Sequence, residues 1–118
     1  MWVGFLVMAL GAAVLTAVGW YAWLGKLPRQ HFAGIRTPYT MANDEQWYAT
    51  HKYGAPYLIF GGVATLAMAL AVLPFAIAGA LPNAFATAIL IAGAFVILIA
   101  ALSSWFFGVK TAKAHLAR

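Results

Sequence analysis

Two long stretches of the chain carry no charged side chain, and a short polar segment separates them. The first covers residues 2–24. At the rise of an α-helix it reaches roughly 35 Å, enough to cross a hydrocarbon core of about 30 Å with some tilt. The second, residues 55–109, is too long for one crossing and suits two. Leu81-Pro82-Asn83 is its best internal break, because Pro82 disfavours helix before it and Asn83 can cap the helix after it. The pattern therefore predicts one membrane domain over 1–118, an all-α bundle of three transmembrane helices at about 2–24, 55–80 and 84–107. A basic tail, 108–118, continues as helix. Pro74, inside the second span, removes one backbone hydrogen bond, which bilayer helices tolerate when neighbours satisfy the freed carbonyl.

The first run reads as a retained helix and not a cleaved signal. No cation precedes it, it exceeds an h-region of about 7–15 residues, and Trp20, Tyr21 and Trp23 close it. Such rings suit the headgroup level, with one face apolar and one edge wet.

The loop, 25–54, has its own pattern. Pro28 and Pro38 break helix near its start. Beyond them, Thr40 or Asn43 can cap a short interfacial helix with Asp44 and Glu45 in its first turn and His51 and Lys52 in its last. Met41, Asp44, Trp47, Tyr48 and His51 would share one side of it. Gly54 is read as its end and Pro56 as the first turn of the next helix.

Composition strengthens the membrane reading. Of 118 residues, 65% are hydrophobic and 8% charged, too little polar surface to cover a particle in water. The formal charge of +5 does not suggest a nucleic-acid binder, because the cations lie at the edges of apolar runs and not on one stripe. All seven Lys and Arg fall in the loop and the tail, and none in the N-terminus or the 81–83 turn. The positive-inside rule then places the N-terminus outside and the loop and C-terminus in the cytoplasm. With no cysteine there is no disulfide, thiolate site or Cys nucleophile, and redox compartment stays open.

The spans hold no charge, which argues against a proton- or ion-coupled carrier. Their polar residues, Thr16, Thr65, Thr87, Ser103 and Ser104, can bond the backbone of their own helix. No facing histidine pairs exist to hold a haem, and no cofactor is implied. Rows of small residues (Ala9-Ala13-Ala17, Ala88-Ala92 and Gly61-Gly62) permit close helix approach, although this much Ala and Gly produces such spacing by chance.

Within the loop, Phe32-Ala33-Gly34-Ile35-Arg36-Thr37-Pro38-Tyr39-Thr40, followed by Trp47, Thr50 and His51, resembles the SdpI family of bacterial membrane proteins. The resemblance covers about residues 20–60 by motif and the remainder by hydropathy. It implies a short three-helix form of that family in the bacterial plasma membrane. It also implies a non-enzymatic role of immunity or signalling type, exercised by binding a partner through the cytoplasmic loop. An accessory subunit stabilising a larger membrane complex is the alternative. Expected partners are membrane lipids and other membrane subunits or further copies of the chain, with no nucleic acid.

The residues assigned to partner binding or loop order are Gly34, Arg36, Thr37, Pro38, Tyr39, Thr40, Asp44, Glu45, Trp47, Thr50 and His51. Gly34 permits a turn or close approach, and Pro38 pushes Thr37 towards extended backbone. Arg36 can pair with Asp44 or Glu45 and fold the loop on itself, or hold a lipid phosphate; the local pairing is favoured. A metal or catalytic site would need His31 or Asp44 to converge with His51, and no compact ligand spacing or nucleophile–base pair points there. Trp47 and Tyr48 read as interfacial anchors and not as a ligand cage.

Overall fold

The computed structural model describes residues 2–28, 35 and 37–116. Four helices succeed one another: α1 (Trp2–Trp23), α2 (Pro38–Met41), α3 (Asp44–Ile77) and α4 (Asn83–Leu116). Helices α1, α3 and α4 are each long and apolar enough to cross a membrane, so the chain is an all-α, multi-pass membrane protein. The bundle measures 57 × 20 × 19 Å. Its length exceeds the roughly 40–45 Å of a whole bilayer. The excess lies at the basic end. At 34 residues, α3 and α4 each run roughly 51 Å, longer than one crossing needs, and residues 44–54 and 110–115, which hold their charged side chains, form the turns at the basic end.

Two glycines end helices in the same way. Gly25 and Gly79 adopt positive φ (72° and 71°), a conformation that side-chain-bearing residues avoid. Behind them, Lys26 N–H donates to Tyr21 O and Ala80 N–H to Phe75 O, the six-residue closure of a Schellman motif.

The third helix departs from its expected start. It does not begin after Gly54; it runs unbroken from Asp44, with Pro56 and Pro74 both inside it. Asn43 supplies the cap, its side-chain oxygen accepting the Gln46 N–H at 2.8 Å, and Asp44 and Glu45 occupy the first turn as expected. His51 and Lys52 are therefore mid-helix. Gly54 serves approach and not termination, since a Cβ there would lie 2.6 Å from the Ser104 carbonyl oxygen and hydroxyl. The expected separate interfacial helix is thus the start of α3, and a different single turn, α2, capped by Thr37, precedes it.

Helix α3 lies between α1 and α4, which scarcely touch each other. The adjacent Gly61 and Gly62 display this arrangement. Gly61 faces Ala100 of α4, while Gly62 faces Thr16 and Ala12 of α1. Between lipid-bathed helices no hydrophobic force acts, so association rests on close packing of this kind. On α4 the buried row is Ala100, Ser104, Gly108 and Ala112, every fourth residue. Of the expected rows, Ala9 is buried, whereas Ala13, Ala17, Ala88 and Ala92 face outward. Thr16 bonds its own helix at Ala12 O (2.8 Å), as expected. Thr65 and Ser104 do not: their buried hydroxyls have no hydrogen-bond partner, because they are turned into the helix contacts.

Candidate functional site

The described part of the loop motif, Ile35 and residues 37–40, packs at the basic end of the bundle, and Ile35 is the residue fastened there. The Ile35 N–H donates to His51 Nε2 at 2.7 Å, and the Ile35 carbonyl accepts the Thr40 hydroxyl at 2.7 Å. Both backbone groups of one loop residue are thus satisfied by side chains from separate helices. The Ile35 side chain lines one end of an apolar cavity of about 330 Å³ among α1, α3 and α4, with Leu15, Val18, Leu58 and Ile97.

Thr37 and Thr40 lock the turn after it. The Thr37 hydroxyl accepts the Thr40 N–H (3.2 Å), and the Thr40 hydroxyl accepts the Thr37 N–H (2.8 Å). This reciprocal capping box satisfies two donors that the start of a helix otherwise leaves open. Pro38 opens α2 with its ring exposed, in the position where a missing N–H is harmless. Tyr39 is half-buried; its carbonyl accepts Gln46 Nε2 at 2.6 Å, and the ammonium of Lys113 sits 5.1 Å above its ring.

Trp47 is fully buried, which overturns its expected place as an interfacial anchor. It packs with Ala22, Leu27 and Ala55, and Val18, Met41 and Ile59 lie against this cluster. Its indole N–H reaches the Leu27 carbonyl at 2.8 Å, so the same ring fills the core and holds the start of the loop. Tyr48, one residue on, is exposed.

His51 stacks on Trp47 with ring centroids 4.1 Å apart. Because Nε2 accepts from Ile35, the neutral ring carries its proton on Nδ1, which donates to Trp47 O at 2.7 Å. Both nitrogens are committed to backbone groups. Burial pushes the His51 pKa below its ordinary 6.5, opposed by the bond to Trp47. An imidazolium here would point Nε2–H at the Ile35 N–H, two donors without an acceptor. Below 6.5 the unfolded chain takes up a proton that the folded chain refuses, down to the folded pKa. Loop attachment is therefore complete above about 6.5 and weakens as pH falls below it. We expect the protection of the Ile35 amide, measured against its intrinsic exchange rate, to be lower at pH 5 than at pH 7.5. His51→Phe should show fast exchange and no such step at either pH, with a loss of about 1–3 kcal/mol for the orphaned N–H. Equal protection in wild type and variant would refute the clamp.

Thr50 is buried against α4, where a Cβ on Gly108 would come within 2.7 Å of its carbonyl oxygen; its hydroxyl has no partner. Asp44 and Glu45 are exposed at the helix start. Gly34 and Arg36 lie outside the described residues, as does His31, so the proposed pairing of Arg36 does too. Among the described residues, no three His, Asp or Glu side chains gather where they could hold a metal ion.

Sequence reasoning missed Leu27, whose carbonyl anchors Trp47, and Gln46, which ties α3 to α2. It also missed the seam of Thr50 and Gly54 against Ser104 and Gly108. The fourth-residue spacing of Ala100, Ser104, Gly108 and Ala112 was an available signal. Farther out, Tyr53 stacks on His115 (4.7 Å) and Tyr57 on Phe107 (5.2 Å), joining the basic ends of α3 and α4.

No curated protein and no solved structure matches the chain. The family model described as the SdpI/YfhL protein family matches residues 26–103. That span takes in the whole loop motif, all of α3 and most of α4, and so reaches well beyond the segment that the motif alone marks. A three-helix membrane bundle whose loop motif is built into its basic end is thus a member of the SdpI/YfhL family.

Proposed function

We propose that the chain is a non-enzymatic protein of the bacterial plasma membrane, of immunity or signalling type, which binds a partner on the surface that its loop builds. One observation carries this reading. Thr37, Thr40, Trp47 and His51 all bond backbone groups of the loop and its flanks, and none is left to converge on a substrate. Side chains used in this way support a rigid surface of the kind that binding needs. Around them Asp44, Glu45, Tyr48 and Lys52 are exposed and can meet another protein. The cations on loop and tail support a cytoplasmic side for this surface and an outer side for the N-terminus, by the positive-inside rule.

A chain without cysteine makes the topology simple to test. Glu45→Cys and Asn83→Cys should react with a membrane-impermeant thiol reagent from opposite faces, the first only after the cells are opened. Partner binding is tested with a photo-crosslinking residue at Tyr48, on the loop surface, or at Phe60, which is 78% exposed on the apolar flank. The reading predicts a discrete protein adduct from position 48, and cells lacking the chain that become sensitive to a secreted peptide. Adducts from position 60 alone, with a fixed ratio to a larger complex in mild detergent, would establish the accessory-subunit role instead.

A further inference from the structure

We propose that the basic end of α4 carries a binding site for an anionic phospholipid, formed by Trp105, Phe106, Val109, Lys110 and Lys113. These five residues line one open cavity of about 340 Å³. Their spacing (Trp105-Val109-Lys113 and Phe106-Lys110) repeats every four residues, so they form a ladder along one face of the helix. The ladder changes character with depth. Exposed rings of Trp105 and Phe106 come first, then an aliphatic side chain, then two ammonium groups. From Trp105 to Lys113 the rise is roughly 12 Å, which takes the face from the edge of the hydrocarbon into the headgroup layer. A phospholipid has the same order of chemistry along its length.

Charge completes the match. Helix α4 contains no acidic residue, and neither lysine meets a carboxylate among the described residues. Each ammonium instead lies over an aromatic face: Lys110 is 5.9 Å from the Phe106 centroid and Lys113 is 5.1 Å from that of Tyr39. Such contacts hold a cation in place without neutralising it. A lipid phosphate can therefore sit between two positioned positive charges, while its acyl chains lie along Trp105 and Phe106. A water-soluble anion would use only the upper half of this face. Because Tyr39 belongs to α2, the lipid site borders the loop surface through Lys113.

The test is native mass spectrometry of the delipidated full chain with phosphatidylglycerol or phosphatidylcholine. Wild type should retain phosphatidylglycerol preferentially. Lys110→Gln/Lys113→Gln should weaken that retention about 30-fold, about fivefold for each lysine at a membrane surface, and leave phosphatidylcholine unaffected. Lys110→Arg/Lys113→Arg should keep it. The charge-matched control Lys26→Gln/Lys52→Gln, which leaves the ladder intact, should also keep it. Equal losses in the two Gln pairs would reduce the effect to net charge and overturn the site. Unchanged phosphatidylglycerol retention in Lys110→Gln/Lys113→Gln would overturn it as well, and unchanged circular dichroism in each variant shows that the comparison is between folded chains.

Discussion

Replacing Trp47 by alanine should lower stability by about 3–5 kcal/mol, the range for removing a large aromatic from a packed core. Three losses coincide at this ring. Its volume is enclosed by Ala22, Leu27 and Ala55, with Val18, Met41 and Ile59 packed against them. Its indole N–H satisfies the Leu27 carbonyl, which would be left without a donor. Its face supports the His51 ring, which in turn holds Ile35. Water and headgroups reach this end of the bundle when it opens, so the transfer from water that sets the magnitude applies here and would not at mid-membrane. The variant should keep its three spans, because the bilayer holds apolar helices regardless of their contacts. It should release the loop, seen as rapid tryptic cleavage at Lys26 in wild-type-like vesicles and a lower midpoint in detergent unfolding. Trp47→Phe keeps most of the volume and loses only the N–H, so about 1–2 kcal/mol is expected. A Trp47→Ala protein no less stable than Trp105→Ala, which alters an exposed ring, would contradict the core role.

The triple variant Gly54→Ala/Gly61→Ala/Gly108→Ala should force α3 and α4 apart. Added methyls at Gly54 and Gly108 would fall 2.6 Å from the Ser104 carbonyl oxygen and 2.7 Å from the Thr50 carbonyl oxygen; at Gly61 the obstacle is the Ala100 Cβ. None of these obstacles can rotate away, since two are helix backbone and the third is fixed to it. Two effects then compete. Alanine gains about 1 kcal/mol over glycine within a helix. Overpacking costs about 1–3 kcal/mol at each site, and more when the neighbour is rigid. The clash should win, with a net loss above about 3 kcal/mol, less than additive because Gly54 and Gly108 share one contact. Gly11→Ala has the opposite sign. Nothing lies within 4 Å of its added methyl, so only the helix gain of up to about 1 kcal/mol remains. Unfolding of both proteins in mixed micelles measures the contrast, and a Gly11→Ala loss as large as that of the triple variant would rule out the seam.

The architecture could be read in the residues because the hydrocarbon core imposes a coarse demand. Some twenty neutral residues per crossing and cations at the edges leave little freedom in counting spans. The Asn43 cap with acids behind it, and the motif that marks the family, were equally local. The linear chain could not reveal which side of each span packs, or against what. These helices are apolar all round, so no amphipathic stripe points to a core. Gly61 and Gly62 read alike, yet one receives α4 and the other α1. Gly54 and Pro56 read as a boundary, yet α3 continues through both, and the glycine at 54 leaves room for Ser104 of α4, which occupies the space a side chain there would fill. Trp47 read as an interfacial anchor and His51 as the last turn of a short helix, yet both are buried within α3, bonded to the carbonyl of Leu27 and the amide of Ile35. Those backbone partners lie 20 and 16 residues away. Span number comes from transfer into lipid, which each residue undergoes on its own. The seam and the loop clamp come from shape and hydrogen bonding between distant residues, which only the assembled bundle brings together.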